Sequence, residues 1–340
     1  MNFDGAQIHN ARGASETDEG LRLDRLPPET RAPLNDKAET NYERPTGVEI
    51  RFVAEGPVEI TLSCLDGEST VAPYWGPFEC DFAAEVTVDE SETTIEMEFP
   101  EHLADVGDEH LPDGYFAPRV GRLILRGRPT VLHGIEGDTR PPREAELPDQ
   151  TLLAYGTSIT QGGIASRFPL AYASRAARGI QAEHVNLGTG GSAFCEPEIA
   201  DHIAARDDWD AAVLSVSVNM IAVGFTAAEF RERAAYLVDH VASENPEKPV
   251  VAITLFPQLS DVCPTRERGD DWKATAEEYR TVLREVVAEA GHDNLHLLEG
   301  PDLLTDPTGL STDLLHPADP GMIEMGANLA TELDGRLEDQ

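Results

Sequence analysis

The chain has 340 residues, of which 63 are acidic and 26 are basic, and its formal net charge at pH 7 is −37. A protein with so large a negative charge repels nucleic acids and anionic membrane surfaces, and we expect neither as a partner. No apolar run approaches the roughly 20 residues that a membrane-spanning helix needs. The first residues show neither the basic nor the apolar region of a signal peptide, so we expect a cytoplasmic protein.

The acidic residues are scattered through segments with the patterns of folded structure, unlike those of a disordered acidic tail. This composition resembles the acidic surface of halophilic proteins. Because dissolved salt screens repulsion between surface charges, we predict that the melting temperature rises strongly between low and molar KCl. Thermal unfolding followed by circular dichroism across that range tests the prediction. A melting temperature that does not change with salt would contradict it.

Cysteine and histidine spacings give no sign of a metal site. The four cysteines are widely spaced and form no CxxC pair, so we expect neither a zinc site nor a disulfide framework. Eight histidines show no HxH or HExxH spacing, and we expect no metal. These eight are His9, His102, His110, His133, His184, His202, His240 and His292.

The sequence pattern changes near residue 140. Residues 1–45 are polar and irregular, and we predict a loose N-terminal arm there. Residues 46–137 contain short alternating runs between turn residues, which predicts an antiparallel β-sandwich domain. Residues 138–150 are charged and rich in proline, as in a linker.

Residues 151–340 alternate between apolar runs and helical patterns, which predicts an α/β domain with a five-stranded parallel sheet. A capping box at Thr226 and Glu229 predicts one helix start, and Gly291 predicts a helix end. The predicted strands lie at residues 152–155, 184–187, 211–218, 250–256 and 295–300.

Polar segments follow four of these strands. In an open parallel sheet, ligands bind beyond the carboxyl ends of the strands. Ser158 follows the first strand in GTSIT, although an isolated GTS is usually a helix cap or a tight turn. NLGTGGSAF follows the second strand, Asn219 follows the third, and STDLLHP, with Asp313 and His316, follows the fifth.

Together and in this order, these segments resemble the four sequence blocks of the SGNH, or GDSL-type, hydrolase family. The resemblance covers about residues 150 to 335. The β-rich segment before it resembles the N-terminal sandwich of a subset of the family that includes some carbohydrate esterases. The resemblance implies a flavodoxin-like three-layer α/β/α domain and a serine esterase without cofactor.

The family pattern also implies the role of each site residue. Ester cleavage needs a nucleophile, a base, a carboxylate that orients the base, and donors for the oxyanion. Ser158, His316 and Asp313 take the first three roles. The backbone amides of Ser158 and Gly191 and the side-chain amide of Asn219 form the expected oxyanion hole, with Gly188 or Gly190 as alternatives to Gly191.

The sequence departs from the family pattern at three positions. Thr157 stands where the family usually has aspartate, and Ser217 and Met220 replace the glycine and aspartate that commonly flank the asparagine. None of the three is the nucleophile or an oxyanion donor. We therefore expect different local hydrogen bonds but the same mechanism.

A second Asp-x-x-His pair, Asp293 and His296, enters the fifth strand at its amino end, so we expect it on the opposite sheet edge from Ser158.

Residues 188–193 also fit the GxGxx[GA] pattern of dinucleotide sites, but the next strand ends in Ser-Val-Asn where a ribose-binding acid is expected. The GxSxG elbow of α/β-hydrolases is excluded because Thr160 stands in place of its second glycine.

The sequence thus predicts an esterase for a small-molecule ester, with deacetylation of a carbohydrate or other small ester as the preferred reaction. Thioesterase, lipase and acyltransferase activities remain alternatives on the same site. A non-enzyme alternative is a degenerate hydrolase scaffold whose sandwich binds carbohydrate or a protein partner. The sequence leaves the natural ester and the oligomeric state open.

Overall fold

The computed structural model describes residues 1–80, 86–107, 110–111, 114–263 and 272–337. The chain divides into two compact units. Among the described residues, no helix is long and apolar enough to cross a membrane. Unit 1 consists of Met1–Glu29, Thr40–Gln150 and Gln181–Val185, and unit 2 consists of Thr30–Glu39, Thr151–Ile180 and Asn186–Gln340.

Unit 1 contains two antiparallel sheets, as the alternating runs predict. The first sheet has the path β1-β2-β5-β11-β7-β8, and in addition β13 pairs with β5 and β9 pairs with β7. The second sheet has the order β10-β6-β12-β4-β3. The strands are β1 (Asn2–Phe3), β2 (Ala6–His9), β3 (Ser15–Thr17), β4 (Gly20–Arg22), β5 (Glu49–Ala54), β6 (Val58–Cys64), β7 (Ser69–Trp75), β8 (Phe78–Glu79), β9 (Val86–Val88), β10 (Thr93–Met97), β11 (Val120–Gly127), β12 (Thr130–Glu136) and β13 (Thr139–Arg140). Buried side chains of both sheets, such as Phe52 and Leu62, share one apolar core.

The first 45 residues differ from the prediction of an irregular arm. They contain β1 to β4 and two short helices, α1 (Pro28–Arg31) and α2 (Asp36–Tyr42). Ile8 pairs with Ile50 of β5, and Leu21 pairs with Leu132 of β12, so these strands extend both sheets of the sandwich. Strands of two to four residues are too short to show an alternating pattern, and their order comes from the longer strands beside them.

A buried group of charged side chains lies in unit 1. The Arg51 guanidinium, which is fully buried, pairs with Glu49 at 2.8 Å and with Glu183 at 2.6 Å. Arg122 pairs with the other Glu49 oxygen at 2.7 Å. Burial alone would raise the pKa of Glu183, but Arg51 and His9 beside it lower that pKa to about 2. The carboxylate is therefore ionised at neutral pH, as its burial beside arginine requires.

Unit 2 contains a five-stranded parallel sheet with the order β15-β14-β16-β17-β18. In chain order this is 2-1-3-4-5, the flavodoxin-like arrangement. The five strands, β14 (Gln150–Gly156), β15 (Ala182–Gly188), β16 (Ala211–Ser215), β17 (Val250–Ile253) and β18 (Leu295–Leu298), confirm the predicted ones.

Helices in two groups accompany this sheet. The helix α4 packs against α11, and α5 and α9 pack against α7. The capping box of α7 at Thr226 and Glu229 and the left-handed Gly291 after α9 both match the prediction. The helices are α3 (Ser158–Gln161), α4 (Tyr172–Gly179), α5 (Pro197–Ala204), α6 (Val218–Ala222), α7 (Ala227–Glu244), α8 (Leu259–Val262), α9 (Ala276–Ala290), α10 (Gly300–Leu303) and α11 (Asp319–Leu337).

Candidate active site

Ser158 is the first residue of α3, directly beyond the carboxyl end of β14. The Oγ1 atom of Thr157 caps this short helix by accepting a hydrogen bond from the Ile159 N–H at 3.3 Å. An aspartate could accept the same bond, so threonine preserves the cap at this position. A Cβ on Gly156 would overlap Thr160 Oγ1, so only glycine allows the strand to enter the turn this closely.

The structure brings Ser158, His316 and Asp313 into one hydrogen-bonded chain. Ser158 Oγ lies 2.7 Å from His316 Nε2, and His316 Nδ1 lies 2.7 Å from Asp313 Oδ2. Asp313 and His316 belong to the loop between α10 and α11. In that loop Ser311 N donates to the His316 carbonyl at 2.8 Å, which fixes its shape.

The Asp313 carboxylate is held by several donors. Partial burial would raise its pKa, but hydrogen bonds from the His316 backbone and imidazole, then from Leu315 N and Ser311 Oγ, lower the pKa of Asp313 well below its usual range. An ionised carboxylate accepts but cannot donate, so Nδ1 of His316 carries the proton between them. Nε2 is then free to accept the Ser158 hydroxyl proton.

Three glycines, from the last residue of β15 to Gly191, offer backbone amides, and side chains occupy two of them. Gly188 N donates to Asn186 Oδ1 at 2.7 Å, and Gly190 N donates to Gln161 Oε1 at 2.8 Å. Gly191 N makes no hydrogen bond within the described part of the chain. Of the three glycines weighed from the sequence, Gly191 is therefore the one whose amide is available to a ligand.

Asn219 lies on α6 rather than at the end of its strand, because β16 ends at Ser215. Its Oδ1 accepts hydrogen bonds from Ser192 N at 3.1 Å and from Ala193 N at 3.2 Å. These two bonds fix the orientation of the amide. Its Nδ2 donates to no residue that the structure describes.

Ser217, which stands where the family usually has glycine, has a strained backbone. Its φ is +107° and its ψ is −50°, a conformation that serine rarely adopts. Its Oγ is buried and has no hydrogen-bond partner among the described residues. Both features cost stability at the residue that precedes α6.

We predict that Ser217→Gly stabilises the protein by about 1 kcal/mol, because relief of strain exceeds the greater freedom of glycine in the unfolded chain. Ser217→Ala is the matched control: it removes the unpaired hydroxyl but keeps a Cβ at positive φ. Urea unfolding of the three proteins measures both effects. If Ser217→Ala were as stable as Ser217→Gly, the gain in stability would come from removal of the hydroxyl and not from relief of backbone strain.

The second Asp-x-x-His pair lies elsewhere in unit 2. His296 is inside β18, where it pairs in register with Val251 of β17. Burial, then the charge of Arg336, lowers the pKa of His296. Asp293 precedes β18 at its amino end, whereas Ser158 lies beyond the carboxyl end of β14, so this pair occupies the opposite edge of the parallel sheet.

Sequence reasoning missed three residues that contact the segment from Gly190 to Ser192. Gln161 belongs to the same block as Ser158, but its bond to Gly190 N has no sequence signal. Asn35 donates to the Ser192 carbonyl at 3.0 Å, and Lys37 contacts Gly191, although both lie more than 100 residues earlier in the chain. The rarity of lysine was the only available hint for Lys37.

Within the described residues, no three His, Cys, Asp or Glu side chains are placed to bind a metal.

Known proteins resemble this chain mainly in structure. No curated protein matches it in sequence. The salicylyl-acyltransferase SsfX3 from a tetracycline biosynthetic pathway is 15% identical, with a TM-score of 0.75 over 98% of this chain and 95% of that one. A family two carbohydrate esterase from Cellvibrio japonicus is 13% identical, with a TM-score of 0.63 over 99% of this chain and 96% of that one. At these identities the likeness shows a shared fold.

The same fold occurs in a family two carbohydrate esterase from Clostridium thermocellum, whose structure is in complex with cellohexaose. It is 15% identical, with a TM-score of 0.61 over 98% of this chain and 99% of that one. The family model of the GDSL-like lipase/acylhydrolases matches residues 149–333, which is more than half of the chain. This chain therefore belongs to the GDSL-like lipase/acylhydrolase family of ester-hydrolysing enzymes.

Proposed function

We propose that this protein is a serine esterase that hydrolyses small, acetyl-type esters, including those of carbohydrates. The observation that carries the proposal is the chain of two 2.7 Å hydrogen bonds from Ser158 Oγ through His316 to Asp313. A hydroxyl, an imidazole and a carboxylate in this order are the parts that nucleophilic ester cleavage requires.

In the proposed reaction Ser158 Oγ attacks the ester carbonyl carbon while His316 Nε2 takes its proton. The alcohol leaves with that proton, and the acyl group stays on Ser158 as an ester. Water then attacks the acyl-enzyme, again with His316 as base, and the carboxylic acid leaves as Ser158 recovers its proton. Asp313 keeps the imidazole oriented and stabilises its charged form.

We propose that three N–H donors form the oxyanion hole. They are the Ser158 amide, the Gly191 amide and the Asn219 side-chain amide, and none donates to another described residue. The bonds that occupy Gly188 N and Gly190 N favour Gly191 over the other two glycines. Removal of one such donor typically lowers kcat by about 100- to 1,000-fold.

Rates on nitrophenyl esters from acetyl to decanoyl, measured beside acetylated sugars, test the proposed function. We expect the highest kcat/KM with acetyl esters. A preference for octanoyl or decanoyl esters would contradict the acetyl assignment and favour a lipase. No hydrolysis of any ester would favour the non-catalytic alternative, in which the sandwich binds a carbohydrate or a protein.

Acyl transfer is the second candidate, and the likeness to an acyltransferase supports it. In that reaction an alcohol takes the place of water in the attack on the acyl-enzyme. Adding glycerol or a free sugar during hydrolysis of nitrophenyl acetate separates the two. An acetylated acceptor as the main product would identify a transferase.

A further inference from the structure

A lysine lies against the candidate oxyanion hole. Lys37 is the second residue of α2, and its Nζ contacts Gly191 so closely that a Cβ on that residue would overlap the ammonium group. Gly191 has a φ of +69°, which glycine adopts without strain. The Lys37 side chain is exposed, so a molecule in solution can reach it.

Neighbouring hydrogen bonds hold Lys37 at this position. Asn35 caps α2, since its Oδ1 accepts from Ala38 N at 3.1 Å. The Nδ2 of the same side chain donates to the Ser192 carbonyl at 3.0 Å and to Glu196 Oε1 at 2.5 Å. One asparagine thus ties the start of α2 to the residue that follows Gly191, and the backbone that carries Lys37 is held beside Gly191.

The charge of Lys37 is unusual in this chain. Only three of the 340 residues are lysine, and acidic residues outnumber basic ones by 63 to 26. Even so, Lys37 makes no ion pair within the part of the chain that the structure describes. An exposed cation in so acidic a protein is expected to attract a carboxylate, so an unpaired one beside Gly191 is available to a ligand.

The distance to the nucleophile suits a small substrate. A Cβ on Gly190 would lie 3.4 Å from Ser158 Cβ. Because adjacent Cα atoms are about 3.8 Å apart, Lys37 Nζ lies at most roughly 12 Å from Ser158 Cβ. A carboxylate a few bonds from a bound ester carbonyl can therefore reach the ammonium group.

We infer that Lys37 is a specificity residue that binds a carboxylate of the substrate, so the substrate class is a small ester with a negative charge. The inference rests on the proposed esterase function. The carboxylate belongs either to the acyl group or to the alcohol, and the chemistry at Nζ is the same. With a net charge of −37, the protein repels anionic esters in general, and Lys37 supplies attraction where such an ester must bind.

The test compares neutral and anionic esters at fixed ionic strength. The neutral ester is nitrophenyl acetate. Two anionic esters are compared with it: nitrophenyl hydrogen glutarate carries its carboxylate on the acyl side, and 4-acetoxybenzoate carries it on the alcohol side. We expect Lys37→Met to lower the ratio of anionic to neutral kcat/KM about tenfold for one of the two, mainly through KM. Lys37→Arg should restore most of that ratio.

Lys273→Met is the matched control, because it removes the same charge from an exposed position of unit 2, where Lys273 acts on Glu229 of α7. It should leave the ratio unchanged. If Lys37→Met lowered kcat/KM equally for neutral and anionic esters, the inference would be overturned, because Lys37 would then act on every ester alike. An effect of Lys273→Met as large as that of Lys37→Met would also overturn it.

A binding measurement separates this inference from the proposed function. Calorimetric titration of Ser158→Ala with monomethyl glutarate and with 4-acetoxybenzoate requires no turnover. We expect one of them to bind, and binding to weaken about tenfold when Lys37→Met is added. Absence of binding, or binding that does not depend on Lys37, would overturn the inference even if the wild-type protein hydrolyses neutral esters.

Discussion

Ser158→Ala should lower the rate of nitrophenyl acetate hydrolysis by several orders of magnitude while the protein stays folded. The Ser158 hydroxyl makes one side-chain hydrogen bond, to His316, so its loss should cost little stability. Loss of a nucleophile leaves only the contribution of the remaining donors to the rate. Steady-state kinetics and thermal unfolding of the purified variant measure both effects.

The control for this variant is Ser166→Ala, which changes an exposed serine of the same unit. Its activity should equal that of the wild-type protein. If Ser158→Ala kept more than about a tenth of wild-type activity, Ser158 would not be the nucleophile.

His316→Ala should also abolish hydrolysis, because no other described group accepts the Ser158 hydroxyl proton. Asp313→Asn should lower kcat on the order of 1,000-fold or more, since an amide can hold His316 in the wrong tautomer. His296→Ala is the matched comparison, as it alters the other Asp-x-x-His pair. We expect it to lower stability by about 1 kcal/mol through lost packing in β18 and to leave kcat nearly unchanged.

These three variants also test the assignment of the histidine. An inactive but folded His296→Ala protein together with an active His316→Ala protein would refute the proposed triad. Circular dichroism of each variant shows whether a loss of activity reflects chemistry or unfolding.

Sequence reasoning predicts unit 2 well because its long helices show an apolar stripe and its buried parallel strands appear as continuous apolar runs. The structure confirms the buried stripe of α7. The run VVAITLF contains β17, which is buried at every position but ends at Ile253 rather than at Phe256. The third strand was predicted to end at residue 218, but β16 ends at Ser215. The apolar run continues through Val218, but the chain turns at Ser217 through a backbone conformation that composition does not signal.

Unit 1 was predicted less completely. In β5 the sequence alternates as if one face met water, but Glu49 and Arg51 are buried with Arg122, and Arg51 also pairs with the partly buried Glu183. A charged residue on an alternating strand normally indicates solvent, and only the positions of its distant partners reveal burial. The short strands before residue 45 escaped notice because their order depends on neighbouring strands.

The candidate site was predicted through four sequence blocks, each local in the chain. Ser158, Asp313 and His316 are close in space because each follows a strand of the same sheet. Lys37 and Asn35 come from α2, far ahead of that sheet in sequence, and no local pattern connects them to it. The choice among Gly188, Gly190 and Gly191 likewise depends on which amides the side chains of Asn186 and Gln161 occupy.

The division of the chain also constrains how the protein folds as it is synthesised. Arg51 of unit 1 bonds to Glu183, which follows it by 132 residues, and Glu183 comes after β14 in the chain. The Arg51 guanidinium therefore lacks one of its two carboxylate partners until the ribosome has passed the nucleophile. Domains ordinarily fold one after another from the amino terminus. Here we expect the first unit to complete its folding only after part of the second has been translated.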